Sequence, residues 1–248
     1  MNSIENGTIR RLPDAKRGKI FENCYQSPSY VFVSTDNCPK TVLDRLTYLL
    51  DFEGLSWLKP LQTSTSRELL IGQLDKTGQS MSDIIFKKSR FKNSSVDPVS
   101  FQPGSVANEI KSNLLLNAVV QKLDREGKLS PPDGFSALSV HVEKPLGILV
   151  DKINKSRYSI FLFERGFDLG ELLQYTDPPM ERAVNYNLHD WKTFCGIKNV
   201  LDIITDEASQ EGLIMQDYDV HQTLYRVDQA TQSLDLVLID SERFRTKK

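Results

Sequence analysis

Acidic residues stand at the edges of two apolar runs late in the sequence. Asp217 and Asp219 precede TLYRV within 213-LIMQDYDVHQTLYRV-227, and Asp240 follows LVLI within 234-LDLVLIDSERF-244. Magnesium takes oxygen ligands and commonly uses one or two carboxylates together with substrate phosphates. The residues are therefore candidate metal ligands. Solvated acidic strand ends would give the same pattern, so both interpretations stay open at this point.

A β-hairpin is the element that must position these carboxylates. TLYRV and LDLVLID are strand-like and are separated by the polar segment DQATQS, which is typical of two paired strands and their turn. Antiparallel pairing would bring the start of the first strand beside the end of the second. The pattern thus predicts that Asp217 and Asp219 lie near Asp240.

The rest of the chain predicts a strand-rich part with one internal helix, followed by a helical part that carries the hairpin. Residues 1 to 28 are polar and basic with little periodicity, which predicts an arm or an irregular cap. Strands are predicted at 30–34, 68–72, 83–86, 146–150 and 158–163, and helices at 41–52, 106–123 with Ser105 as N-cap, 169–175 and 188–210.

Composition narrows the classes of partner. The net charge is -2 over 248 residues and the pI is about 6.0, so no overall positive field would attract nucleic acid or an anionic membrane. The basic run 87-KKSRFK-92 is short and typical of a solvated surface. We expect neither a nucleic-acid partner nor a membrane partner.

Cysteine usage and the leading residues indicate the compartment. Cys24, Cys38 and Cys195 are widely spaced, which argues against a disulfide framework or a structural zinc site, although Cys24 and Cys38 could pair. The first residues lack the apolar core of a signal peptide, and no run of 18 apolar residues occurs. We expect a cytoplasmic protein, while a substrate of a dedicated secretion system would have the same pattern.

The order of these elements resembles the protein kinase superfamily in its broad sense, including the antibiotic and choline kinase-like branches. In that family a catalytic aspartate is followed five residues later by asparagine, and then by two strands that end in a metal-binding aspartate. Asp217, Gln222 and Asp240 occupy these three places. The ending LIDSE looks like the LIDFE-type ending of small-molecule kinases.

Upstream segments extend the resemblance over about residues 68 to 244. The stretch 160-IFLFERGFDLGELL-173 resembles the joint between kinase lobes, which implies that backbone groups of Phe163, Glu164 and Arg165 meet adenine. The stretch 84-IIFK-87 resembles the strand with the nucleotide lysine. Lys87 is then the candidate, Lys88 is the competitor if the strand phase differs by one, and Glu109 is the expected ion-pair partner.

The resemblance implies an α+β, two-lobed kinase-like fold with a mainly β N-lobe and a minimal, mainly helical C-lobe. The implied division is an N-terminal extension over 1–67 that packs on the small lobe, an N-lobe over 68–163 and a C-lobe over 164–248. Only eight residues follow Asp240, so we expect a partner or the N-terminal region to supply what a fuller C-lobe would provide.

The implied activity is transfer of the γ-phosphoryl group of ATP to a hydroxyl, with Mg²⁺ or Mn²⁺, and with a Ser or Thr of a protein as first choice of acceptor. Asp217 would orient or deprotonate that hydroxyl, and Gln222 with Asp240 would hold the metal. Secreted bacterial effectors include compact kinases of this kind, so a host protein target fits the same resemblance.

Two residues depart from the family pattern and keep alternatives open. Met215 stands two places before Asp217, where the family has histidine, and Gln222 replaces the asparagine. Glutamine still offers a carbonyl oxygen, but its extra methylene shifts that ligand. These departures favour a pseudokinase, a kinase-shaped module that regulates a partner with or without nucleotide. An unrelated α+β protein with a coincidental motif order is the third possibility.

Overall fold

The computed structural model describes residues 7–11, 20–61, 67–74, 83–89, 105–169, 191–215, 222–241 and 244–246. The protein is α+β with mostly antiparallel sheets. Its helices are α1 (Lys40–Phe52), α2 (Val106–Arg125) and α3 (Trp191–Gln210). Its strands are β1 (Thr8–Arg11), β2 (Phe21–Gln26), β3 (Tyr30–Thr35), β4 (Lys59–Pro60), β5 (Leu69–Gln73), β6 (Asp83–Lys88), β7 (Ala137–Val142), β8 (Pro145–Asp151), β9 (Ser156–Leu162), β10 (Phe167–Asp168), β11 (Leu213–Ile214), β12 (Thr223–Asp228), β13 (Ser233–Leu238) and β14 (Arg245–Thr246).

The chain divides into two compact units. The first unit comprises residues 1–111 and 144–163, and the second comprises residues 112–143 and 164–248. Helix α2 contributes its first turns to the first unit and the remainder to the second. One boundary between these units lies after residue 163.

The first unit is built on an eight-stranded antiparallel sheet in the order β1-β2-β3-β8-β9-β6-β5-β4. Helix α1 packs on one face of it because its apolar residues recur at helical spacing. Leu46 and Leu49 of α1 are buried in one cluster with Phe86 of β6 and Ile160 of β9. This face therefore forms an apolar core.

The second face of the same sheet carries polar groups at its centre. Side chains alternate along a strand, so Lys87 lies on the opposite face from Phe86. Lys87 is paired in register with Ser159 of β9, and both side chains are buried. Glu109 of α2 contacts Ser159, which places the first turns of α2 on this face.

The second unit contains a four-stranded sheet in the order β10-β12-β13-β7, in which β13 and β7 run parallel. The predicted hairpin is present as β12 and β13, with Thr223 opposite Leu238. Leu236 and Leu238 of β13 are buried in one cluster with Leu116 of α2 and Ile197 of α3. The helices thus cover the apolar face of this sheet.

Most of the strands and helices predicted from periodicity are confirmed within one to three residues. Ser105 caps α2 as predicted, because its Oγ accepts a hydrogen bond from the Asn108 backbone N–H at 3.1 Å. The segment 170–190, which includes most of the predicted helix 169–175, lies outside the described residues.

The prediction of an irregular arm over residues 1 to 28 is wrong. Strands β1 and β2 extend the large sheet, and β2 pairs with β3. The sequence signal for strand β2 was weak. Within FENCYQ only Phe21 and Tyr25 are buried hydrophobic residues, and two residues are too few to show the alternation of a strand. Strands β1 to β4 and helix α1, which all lie within residues 1–67, belong to the first unit.

Strand β7 was not predicted either, although Leu138, Val140 and Val142 alternate with polar residues. This strand lies in residues 112–143, which belong to the second unit. Helix α2 continues without a break past residue 111, and its Leu116 is buried in the core of that unit.

Two further expectations concern cysteines and membranes. All three cysteines are described, and none forms a disulfide. Burial raises the pKa of the Cys38 thiol to about 12, so this thiol is protonated near neutral pH. Within the described ranges, no helix is long and apolar enough to cross a membrane.

Candidate functional site

The structure distinguishes Lys87 from its competitor Lys88. Lys87 is only 4% exposed, and its Nζ lies 4.7 Å from the centroid of the Phe161 ring, a cation–π distance. Lys88 lies on the same face of the sheet as Phe86, opposite to Lys87. Its Nζ lies 2.6 Å from Oε2 of the half-exposed Glu68. The hydrogen bond to Glu68 raises the pKa of Lys88. Lys87 is therefore the interior lysine, and Lys88 belongs to a surface ion pair.

Glu109 is fully buried in the first turn of α2 and is held by several donors. Arg67 donates from Nη1 to Oε1 at 2.9 Å and from Nη2 to Oε2 at 2.8 Å. The Ser159 hydroxyl donates to Oε2 at 2.6 Å. A buried carboxylate is stable as an anion only when it is paired and hydrogen-bonded, and this arrangement meets that requirement.

Arg67 also binds the backbone of β6. Its Nε donates to the Lys88 carbonyl at 2.9 Å, and its Nη2 donates to the Lys87 carbonyl at 3.2 Å. We expected only Lys87 as the partner of Glu109, and sequence reasoning did not identify Arg67. A single arginine just before a strand shows no pattern that separates it from a surface residue.

Gln222 and Asp240 lie at the same end of the hairpin in the second unit. The backbone N–H of Ile239, the residue before Asp240, donates to the backbone carbonyl of Gln222 at 2.8 Å. Both Gln222 and Asp240 are partly exposed. The carboxylate of Asp240 is an oxygen ligand suited to Mg²⁺.

Asp240 has an unusual backbone. Its φ is 59°, in the left-handed region that only a few per cent of non-glycine residues adopt, with Asn and Asp enriched among them. Its N–H donates to Oε1 of Glu143 at 3.0 Å. Strained residues of this kind cluster at functional sites, so the conformation marks Asp240 independently of its sequence position.

Glu143 is a second residue that sequence reasoning missed. It is 3% exposed, and its own N–H donates to the Leu238 carbonyl at 3.0 Å. It follows β7 directly, so the parallel pairing of β7 with β13 brings it to Asp240. Within the described part of the chain, no group of three or more His, Cys, Asp or Glu residues could hold a metal ion.

The residues assigned to adenine have different surroundings. In the first unit, the Phe163 N–H donates to the Asp83 carbonyl at 2.8 Å, which commits that N–H to the sheet. In the second unit, Glu164 Oε2 lies 3.3 Å from Nη2 of Arg226, and Arg165 is exposed.

Asp217 and Asp219, with the rest of 216–221, lie outside the described residues. Met215, at the place where the kinase family has histidine, packs against the apolar core of the second unit. The side chain therefore serves packing at this position.

The chain was compared with known proteins. No protein-family model matches it, and no curated protein matches it.

Proposed function

We propose that this protein is an atypical ATP-dependent kinase, that its two units correspond to the N-lobe and C-lobe of a kinase-like fold, and that it transfers the γ-phosphoryl group to a hydroxyl. The observation that carries the proposal is the position of Asp240 just after the hairpin, where its left-handed backbone is hydrogen-bonded to Glu143. A hairpin that ends in a constrained aspartate is suited to hold the Mg²⁺ that accompanies ATP, and Gln222, just before the first strand of the hairpin, is the proposed second ligand.

The first unit supports the nucleotide half of this proposal. Lys87 is a cation with a nearly buried side chain on a rigid central strand, and the same face carries the buried anion Glu109. A lysine that grips the α and β phosphates needs such a fixed environment, because catalysis in this class is mainly positioning and charge stabilisation.

In the proposed reaction, Asp217 orients the acceptor hydroxyl and accepts its proton. The hydroxyl oxygen bonds to the γ-phosphorus as the bond to the β,γ-bridging oxygen breaks, and ADP is the leaving group. Asp240 and Gln222 would hold the Mg²⁺ that neutralises charge on the phosphates. A Ser or Thr of a protein is the proposed acceptor. An activating partner is part of the same proposal.

The first test is thermal unfolding of the wild type and of Asp240→Asn, with and without Mg²⁺ and ATP. Asparagine tolerates the left-handed backbone, so this variant removes the charge and keeps the fold. A ligand at 100 times its Kd stabilises the folded state by about 2.7 kcal/mol. We expect a magnesium-dependent rise in Tm with ATP for the wild type, and little or no rise for Asp240→Asn.

Transfer is tested separately with γ-labelled ATP and protein acceptors, with small-molecule alcohols as the alternative class. Label on Ser or Thr that is lost in Asp217→Asn would support the proposed chemistry. Absence of any nucleotide-dependent rise in Tm in the wild type would contradict the proposed kinase function at its first step.

A second candidate function is a pseudokinase that binds nucleotide or a partner without phosphoryl transfer. Met215 favours it, because a side chain packed in the core offers no hydrogen bond to a catalytic loop. A pseudokinase that binds nucleotide shows the ATP-dependent rise in Tm and leaves γ-labelled ATP intact with every acceptor, whereas a nucleotide-free pseudokinase shows no rise.

A further inference from the structure

We propose that Arg67 is the positioning residue of the nucleotide lysine and that it assembles this half of the site before nucleotide binds. The inference rests on the proposed function and adds a specific role for a residue of the same site. Arg67 joins the backbone at Lys87 to the carboxylate of Glu109.

One nitrogen atom of Arg67 joins strand β6, strand β9 and helix α2. Nη2 of Arg67 lies 3.2 Å from the Lys87 carbonyl, 2.8 Å from Oε2 of Glu109 and 3.2 Å from the Ser159 hydroxyl. Strands β6 and β9 and helix α2 therefore meet at one guanidinium. The position of α2 relative to the strand that carries Lys87 is fixed by this group.

Only arginine can make this set of bonds. The guanidinium is planar, is always charged and presents its donors in a rigid fork that matches a carboxylate. Its bidentate pair with Glu109 uses Nη1 and Nη2, and Nε still reaches the Lys88 carbonyl. A lysine at this position would keep the charge and lose the fork.

Burial makes the connection rigid. Arg67 is 5% exposed, and both partners in the ion pair are inaccessible to solvent at their side chains. Separating a buried pair leaves an uncompensated charge, which is strongly unfavourable. Glu109 is consequently held in place in the nucleotide-free protein, and α2 has no low-energy route to swing away from β6.

The experiment compares Arg67→Lys and Ser159→Ala with the wild type, with Glu68→Gln as the matched control. Ser159→Ala removes one donor to Glu109 and leaves both charges, so it is the variant least at risk of unfolding. Glu68 neighbours Arg67 in the chain, but its carboxylate is half exposed and contacts Lys88. Steady-state kcat and KM for ATP, and the Kd of a fluorescent ADP analogue, are measured for each folded protein.

Misplacement of a positioned group by about 1 Å can cost on the order of 10²-fold in rate. We expect kcat/KM to fall by about that factor in Arg67→Lys, by a smaller factor in Ser159→Ala, and to stay unchanged in Glu68→Gln. A fall in Tm of Arg67→Lys with kcat and KM unchanged would show a merely structural role and would overturn the inference.

Hydrogen exchange of the nucleotide-free proteins distinguishes failure of this inference from failure of the proposed function. We expect the amides of residues 106–111 and 83–88 to exchange faster in Arg67→Lys than in the wild type, whether or not nucleotide binds. If the wild type binds no nucleotide, the kinase proposal fails, together with the role of Arg67 in it. If the wild type binds nucleotide and exchange is the same in both proteins, only the inference about Arg67 fails.

Discussion

The backbone N–H of Asp240 donates a hydrogen bond to the buried carboxylate of Glu143 at 3.0 Å. These residues are far apart in the chain and meet because β7 pairs in parallel with β13. The bond holds Asp240 in a conformation that a non-glycine residue seldom adopts. It therefore links the second sheet directly to the candidate metal ligand.

Two substitutions of Glu143 should distinguish the effect of its acceptor oxygen from the effect of its charge. Glu143→Gln keeps an oxygen that can accept from Asp240, whereas Glu143→Ala leaves that N–H without this acceptor. An unsatisfied buried donor costs about 1–3 kcal/mol, so we expect Glu143→Ala to lose about that much stability in urea unfolding and to weaken magnesium-dependent ATP binding. Equal losses in both variants would mean that the charge of Glu143, and not its acceptor oxygen, matters.

We expect that replacing the buried Asn113 with an apolar residue stabilises the protein. Asn113 is 1% exposed, and neither Nδ2 nor Oδ1 has a hydrogen-bond partner among the residues that the structure describes. It lies three residues before Leu116, on the same face of α2, and Leu116 belongs to the apolar core of the second unit. Asn113→Leu removes an unsatisfied amide and has higher helix propensity, so we expect urea unfolding to show a gain of about 1–3 kcal/mol. Asn113→Asp is the control and should destabilise, and a loss of stability in Asn113→Leu would contradict the argument.

We expect the stability contributed by the ion pair between Lys122 and Glu207 to depend on pH. The Nζ of Lys122 on α2 lies 2.7 Å from Glu207 and 2.5 Å from Glu211 at the end of α3. The hydrogen bond from Lys122 lowers the pKa of Glu207, and the bond to Glu207 raises the pKa of Lys122. The contribution of Glu207 is thus present above the unfolded glutamate pKa of about 4.3 and is lost as the pH falls through the lower folded-state pKa. The contribution of Lys122 would be lost only at strongly alkaline pH.

The corresponding experiment is the pH profile of Tm for the wild type and Lys122→Met. We expect the wild type to be more stable near neutral pH and the two profiles to converge as the pH falls through the lowered folded-state pKa of Glu207. Lys198→Met is a suitable control, because Lys198 pairs with Asp202 within α3 and both side chains are exposed. A difference between wild type and Lys122→Met that does not shrink as the pH is lowered would argue that packing of the lysine chain, and not its charge, stabilises the contact.

Gly72 is required because the side chains of Trp57 and Leu58 pack closely against its Cα. A Cβ atom at this position would lie 1.9 Å from Cζ3 of Trp57 and 2.6 Å from a methyl group of Leu58. The Trp57 ring cannot give way easily, because it also packs edge-on against Phe86. We expect Gly72→Ala to cost about 1–3 kcal/mol, as overpacking does, and to change Trp57 fluorescence. In a Trp57→Leu background the cost should be smaller, and an unchanged cost there would place the strain elsewhere.

The contact with Trp57 gives Gly72 a packing reason, since a glycine inside a strand often marks a close approach. Spacing within the strand could not show this, because Trp57 lies in a separate segment of the chain.

The sequence by itself determined the elements whose signal is local. The apolar spacing of α1 and α2, the cap at Ser105 and the hairpin that carries Gln222 and Asp240 follow from side-chain period and turn composition. The choice of Lys87 over Lys88 depended on strand phase, which the sequence left open by one residue. Burial in the sheet decided it.

The tertiary structure alone decided the partners of these residues. Arg67 reaches Glu109 across 42 positions, and Glu143 reaches Asp240 across 97. Strands β1 and β2 are held by pairing with β3, and β7 by pairing with β13. Such contacts are fixed by the register of distant strands and by the need to satisfy buried charges, and neither condition leaves a periodic trace in the sequence.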